Sequence, residues 1–144
     1  MKTAKSGTSK SSGFTLIELI IAMFIISVLA TVAFPSLMQS VRKGNRSDAQ
    51  TALTRASANL ERFFATNGTY TTDVAQLGFP ANGHSTQGHY AVTIAAGASG
   101  IGSSYVVTAT AVAGDMQAND TGCSVLTLDS LGARTPDPAA SDCW

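Results

Sequence analysis

The hydrophobic pattern changes character twice near the N-terminus. Residues 1–13, MKTAKSGTSKSSG, are basic and rich in Ser, Thr and Gly. Residues 14–38, FTLIELIIAMFIISVLATVAFPSLM, are apolar on every face, with Glu18 as the only charge. As a helix rising about 1.5 Å per residue this run is roughly 37 Å long, against a bilayer core of about 30 Å. A helix apolar all round must be buried in lipid or in other protein. From residue 39 the pattern becomes one-sided. Ala49, Ala52, Leu53, Ala56, Leu60, Phe63 and Phe64 recur at helical spacing, and Arg46, Asp48, Gln50, Arg55, Asn59 and Arg62 lie mostly off that face. The helix therefore continues as an amphipathic half that packs on something globular, and Asn67-Gly68 is its stop signal.

Residues 68–89 form a turn-rich connector, with one helical turn expected over Thr72 to Leu77 and Thr72 as its cap. Strands are expected at Tyr90–Ile94, Tyr105–Ala111 and Ser124–Leu128. The GASGIG stretch, Gly97 to Gly102, links the first two as a flexible hairpin. It lacks the spacing and following helix of a dinucleotide fingerprint. Three or four antiparallel strands packing one face on the amphipathic helix half give an α+β fold.

Charge narrows the function. The chain of 144 residues has nine basic and nine acidic side chains, and charged residues make up only 12%. Residues 1–13 carry Lys2, Lys5 and Lys10 and no acid, whereas residues 68–144 carry Arg134 against six acids. A basic nucleic-acid-binding domain is disfavoured, and direct DNA binding is not indicated. No catalytic constellation, P-loop or metal-ligand cluster appears, so neither enzymatic activity nor a cofactor is expected. His84 and His89 read as loop histidines, and calcium at Asp115, Asp120 and Asp129 is a weak reading. Three Asn-x-Ser/Thr triplets, at Asn45, Asn67 and Asn119, fit a glycosylation pattern that short sequences meet by chance. Cys123 and Cys143 have neither CxxC spacing nor a nearby His, which disfavours zinc. In an exported chain they would pair, closing a loop of 21 residues worth roughly 3 kcal/mol; in the cytosol they would be free thiols.

The apolar run has three readings: a transmembrane anchor, a cleaved secretory signal with Thr31-Val32-Ala33 as the cleavage site, or a segment that serves both lipid and a protein assembly. Glu18 favours the third. A carboxylate within hydrocarbon costs a few kcal/mol and marks function by default.

Gly13-Phe14-Thr15-Leu16-Ile17-Glu18, after a short basic leader and before about twenty apolar residues, resembles the class III signal of type IV pilins. The resemblance implies cleavage after Gly13 by a membrane-bound prepilin peptidase, which also methylates the new amine of Phe14. It implies a helix that first holds the subunit in the bacterial inner membrane and then packs into a filament core. The C-terminal run from Cys123 to Asp129, the Leu131-Gly132-Ala133-Arg134 turn and the terminal Cys143-Trp144 look like PilE-type minor pilins. In that group the two cysteines bound a C-terminal disulfide loop. The implied architecture is the pilin lollipop: residues 1–13 a cleaved leader, 14–38 a membrane and filament-core helix, and 39–144 a globular domain. The implied partners are other pilin subunits, the prepilin peptidase and methyltransferase, the inner-membrane pilus assembly machinery and, before assembly, the lipid bilayer.

Glu18 then acquires a physical role. Bundling processed helices would bury the Phe14 ammonium unpaired, and a carboxylate one turn along can neutralise it. A one-turn stagger brings the Glu18 of one subunit to the Phe14 amine of its neighbour, a register device. The bland alternative is that Glu18 only caps the helix start, where the dipole favours an anion. Pro35 removes one helical hydrogen bond and is the expected kink. Lys2, Lys5 and Lys10 before the run and Arg42, Lys43 and Arg46 after it nearly balance, so loop charge does not settle orientation. A periplasmic C-terminal domain, later displayed on an extracellular pilus, follows from the resemblance and the cysteine pair. The expected function is a structural pilus subunit, a minor pilin, in a filament for twitching motility, adhesion or DNA uptake. A type II secretion pseudopilin and the major pilin are the near rivals. A membrane-anchored enzyme is the distant one.

Overall fold

The computed structural model describes residues 13–136 and 142–144. All of the expected leader except Gly13 lies outside the described residues. Helix α1 runs Leu16–Asn67 and is continuous through Pro35. The chain divides into two units, one ending at Leu37 and the other Met38–Trp144.

In the first unit the apolar side chains of α1 are exposed along its length. By length and composition the segment can cross a membrane. Its two central hydroxyls are satisfied internally. Ser27 donates to the Phe24 carbonyl and Thr31 to the Val28 carbonyl, each at 2.7 Å. Neither of these two hydroxyls is left demanding water, as an apolar surrounding requires.

In the second unit four strands form an antiparallel meander in the order β1-β2-β3-β4. They are β1 Tyr90–Ala96, β2 Tyr105–Ala111, β3 Val125–Asp129 and β4 Arg134–Thr135. Alternate residues face the helix: Tyr90, Val92 and Ile94 from β1, Tyr105, Val107 and Ala109 from β2, Leu126 and Leu128 from β3. They meet Ala49, Ala52, Leu53, Ala56 and Leu60 of α1, all buried in one core. The three alanines let the helix lie close to the sheet, and the large side chains come mainly from the strands. Phe64 stacks on Tyr70, which meets Tyr105 edge-on at 4.7 Å between ring centroids.

The helix ends at Asn67 as expected, with Gly68 in the left-handed region. The next turn is a short 3₁₀ segment, Val74–Leu77, and its cap is Asp73, not Thr72. The Asp73 carboxylate accepts the Ala75 N–H at 2.9 Å, a charge-assisted bond that a threonine one position earlier does not supply. Gly83 is obligatory for a different reason. It has positive φ, and a Cβ there would collide with the Val92 carbonyl where the 83–85 segment runs along β1.

The expectation that Arg46 and Asp48 lie off the packed face is overturned, because both are buried. Arg46 sits one turn before Ala49, and Asp48 one turn before Ala52, so helical geometry carries both toward the sheet. Each is tolerated there because a distant segment supplies its counter-groups.

Candidate functional site

Two regions carry the residues singled out in the sequence. At the start of α1, Thr15 is the N-cap: its hydroxyl accepts the Glu18 N–H at 3.3 Å. Thr15 and Glu18 thus occupy the Thr and Glu positions of a Thr-x-x-Glu capping pattern, in which the hydroxyl half is formed. The signal was present in the sequence, but attention to Glu18 alone passes over Thr15. Phe14 precedes the helix and is almost fully exposed. Phe14, Glu18, Ala22 and Ile26 follow at four-residue steps, so the carboxylate lies within an apolar stripe. Gly13 is exposed, and nothing lies within 4 Å of the space its side chain would fill. The Gly13–Phe14 bond is therefore accessible.

The second region is a clasp at the C-terminus. Cys123 and Cys143 are disulfide-bonded, and both are buried. Helix α1 holds the same tail by side chains. Arg46 donates from Nη1 to the Asp142 carbonyl at 2.8 Å, and Gln50 donates to the Cys143 carbonyl at 3.0 Å. Arg46 also makes a two-pronged pair with Asp120, from Nε at 2.7 Å and Nη2 at 2.8 Å. That hydrogen bond, ahead of the opposing desolvation, raises the guanidinium pKa further. Gln117 completes the set, donating to Asp120 and to the Arg42 carbonyl. Beneath lies Tyr90, whose phenol burial pushes up to about 12 and whose hydroxyl donates to the Cys123 carbonyl. At the outer edge the Arg134 guanidinium lies 4.9 Å from the Trp144 ring centroid.

The three aspartates considered for calcium each do local work. Asp120 pairs with Arg46. Asp129 accepts the N–H groups of Leu131 and Ala133, closing the β3–β4 turn. Asp115 accepts the Gln117 N–H at 2.8 Å and meets His89 Nδ1 at 3.1 Å. Asp48 fixes the 85–89 loop, accepting from the Ser85 hydroxyl and from the N–H groups of Gln87 and His89. No group of three His, Cys, Asp or Glu side chains suited to a metal occurs among the described residues.

Asp115 carries a pH prediction. The Gln117 N–H, then His89, hold its pKa below the ordinary 3.8. A depressed folded-state pKa gives stability that is present above the unfolded value and lost as pH falls through the folded one. Asp115→Asn keeps a capping oxygen and removes the titration. Its thermal stability is expected to fall less steeply than wild type as pH drops below about 4. Parallel acid limbs in thermal unfolding would show that Asp115 does not contribute.

Comparison with known proteins places these features. The family model described as "Type IV minor pilin ComP, DNA uptake sequence receptor" matches residues 35–127. The model of the prokaryotic N-terminal methylation motif matches residues 8–34. The type IV major pilin protein PilA of Myxococcus xanthus is 33% identical over 88 residues, covering 61% of this chain and 40% of that protein. The fimbrial protein EcpC of Eikenella corrodens is 30% identical over 89 residues, covering 62% of this chain and 58% of that protein. The chain thus aligns with about half the length of these relatives. A solved type IV pilin from Shewanella oneidensis superposes with a TM-score of 0.50 at 26% identity, covering 72% of this chain and 97% of that one.

Proposed function

The chain belongs to the type IV minor pilin ComP family, whose model covers residues 35–127, and from that membership we propose that it is a structural subunit of a type IV pilus. The single observation that carries the reading is the joining of two independent matches on one chain. A methylation-motif segment leads directly into a pilin domain closed by the Cys123–Cys143 bond. The subunit is made as a precursor and cut after Gly13, and its Phe14 amine is methylated. It waits in the inner membrane on residues 14–38, with its C-terminal domain in the periplasm. The pilus machinery then moves it into a filament, where neighbouring pilins are its partners. Glu18 pairs with a Phe14 ammonium there and sets the register. Pro35 is the point where α1 can bend or extend during that transfer.

Cleavage tests the first step. Gly13→Leu should leave the precursor uncut, because a peptidase that approaches the backbone closely has no room for the side chain. Immunoblotting would then show one longer band in place of the mature one. Normal processing of Gly13→Leu would place the cut elsewhere. Abundance tests the minor-pilin assignment: the subunit should be a small fraction of sheared filament protein, and a dominant share would make it the major pilin.

The family description gives a second reading, a contribution to DNA uptake. Charge offers it limited support. Arg46 and Lys43 are paired with aspartates, while Arg55 and Arg134 lie against the rings of Phe79 and Trp144. DNA affinity grows with the number of phosphates neutralised. Fluorescence anisotropy of duplex DNA with the full chain, across a salt series, decides it. Steeply salt-dependent binding supports DNA reception, and flat anisotropy removes it.

A further inference from the structure

We propose that a cleft at the start of the globular unit binds the phosphate headgroup of an anionic phospholipid. The cleft has a volume of about 270 Å³ and is lined by α1 on one side and by Asn119 to Thr121 on the other. Its charges do not cancel. Arg46 is closed by Asp120, and both are buried. Lys43 reaches Asp142 at 3.0 Å, but both are well exposed, so that pair is weak and readily exchanged. Arg42 has no ion pair among the described residues, and its Nε is buried with no hydrogen-bond partner. A permanently charged group with an unmet buried N–H is unfavourable, and an anion relieves both the charge and the donor. Gln39, Asn119 and Thr121 add neutral donors around the same space.

Position identifies the source of the anion. The inference rests on the reading that residues 14–38 span a bilayer. The cleft begins at Gln39, immediately after that run. Arg42 stands four residues beyond Met38, about 6 Å along a helix. The headgroup layer on each side of a bilayer is about 5–7 Å thick. A long cationic side chain this soon after a span reaches the headgroup layer, where lipid phosphate is concentrated, whereas free phosphate has nothing to concentrate it there. The surplus charge is positive, and Asp120, the carboxylate lining the cleft, is already taken by Arg46. With one more cation than carboxylate among the described residues at the cleft, the site suits phosphatidylglycerol over a zwitterionic lipid that brings a cation of its own. Duplex DNA is a poor fit to a single uncompensated guanidinium. The bound lipid would hold the subunit in the membrane until the filament replaces it.

The test uses the full chain, in mild detergent, with an equimolar mixture of phosphatidylglycerol and phosphatidylcholine carrying identical acyl chains. Lipid retained after gel filtration is counted by mass spectrometry. Wild type should retain phosphatidylglycerol over phosphatidylcholine by about five-fold, the effect of one surface cation. Arg42→Gln should abolish the preference. Arg62→Gln, which removes the same charge farther along α1, should leave it intact. Thr121→Val, at the rim, should weaken it and serves as the second variant if Arg42→Gln misfolds. Non-reducing peptide maps of the Cys123–Cys143 bond check folding of each variant.

Equal retention of the two lipids by wild type would overturn the proposal. So would an equal loss with Arg62→Gln, displacement of the lipid by inorganic phosphate, or its displacement by duplex DNA. Protease protection in phosphatidylcholine vesicles separates the two claims. Failure to insert defeats the spanning reading, whereas insertion without lipid preference defeats only the headgroup site.

Discussion

Arg46→Met is expected to destabilise the globular unit by about 3–5 kcal/mol, because it leaves the Asp120 carboxylate buried and unpaired. Arg46 also ties the tail through the Asp142 carbonyl, so the loss spreads to the disulfide clasp. Removing both partners should cost much less. Arg46→Met with Asp120→Leu deletes the charge along with its counter-ion, and apolar replacement of a buried pair is often near neutral. Gln117 then loses one acceptor but keeps the Arg42 carbonyl. Denaturant unfolding of the two single variants and the double variant measures the coupling. A loss below about 1 kcal/mol for Arg46→Met would mean the pair is solvated and not structural.

For Glu18→Ala the expected result is normal membrane entry with filament incorporation reduced at least about tenfold. Entry should be undisturbed or improved, since a carboxylate leaves the apolar run. Incorporation should fall because the Phe14 ammonium would be buried without a partner. Glu18→Gln should be intermediate, keeping a hydrogen bond but no charge. Thr15 separates this role from capping. If Glu18 serves only the helix start, then Thr15→Ala, which removes the cap hydroxyl, should reduce incorporation as much as Glu18→Ala does. If Glu18 pairs with the amine, Thr15→Ala should retain most of it. The readout is the share of processed subunit in sheared filaments at matched expression.

What could be read in the sequence was what local pattern encodes. Residues 14–38 declared themselves by apolarity on every face, broken by a single charge at Glu18. Ala49, Leu53, Ala56 and Leu60 marked the packed face by their spacing, and strand β2 was placed at Tyr105–Ala111 by β-rich character. Strand β4 was not legible, because the two residues Arg134–Thr135 show no period and owe their pairing to Leu128 and Thr127 across a turn. The burial of Arg46 and Asp48 was hidden for a related reason. Their partners lie 74 and 37 positions away, and a charged residue at the margin of an apolar face reads as solvent-facing until those partners are known. The cysteine pairing depended on compartment, which the two residues alone do not state. Thr15 was different: its capping pattern was local and readable.

The most direct test of the account is the mass of the N-terminal peptide from chains recovered in sheared filaments. The account predicts a peptide beginning at Phe14 with one methyl group on its amine, together with a disulfide-linked Cys123–Cys143 peptide. A peptide beginning at Phe34, or a chain missing from filaments of cells that express and process it, would contradict the claim that this protein is a pilus subunit.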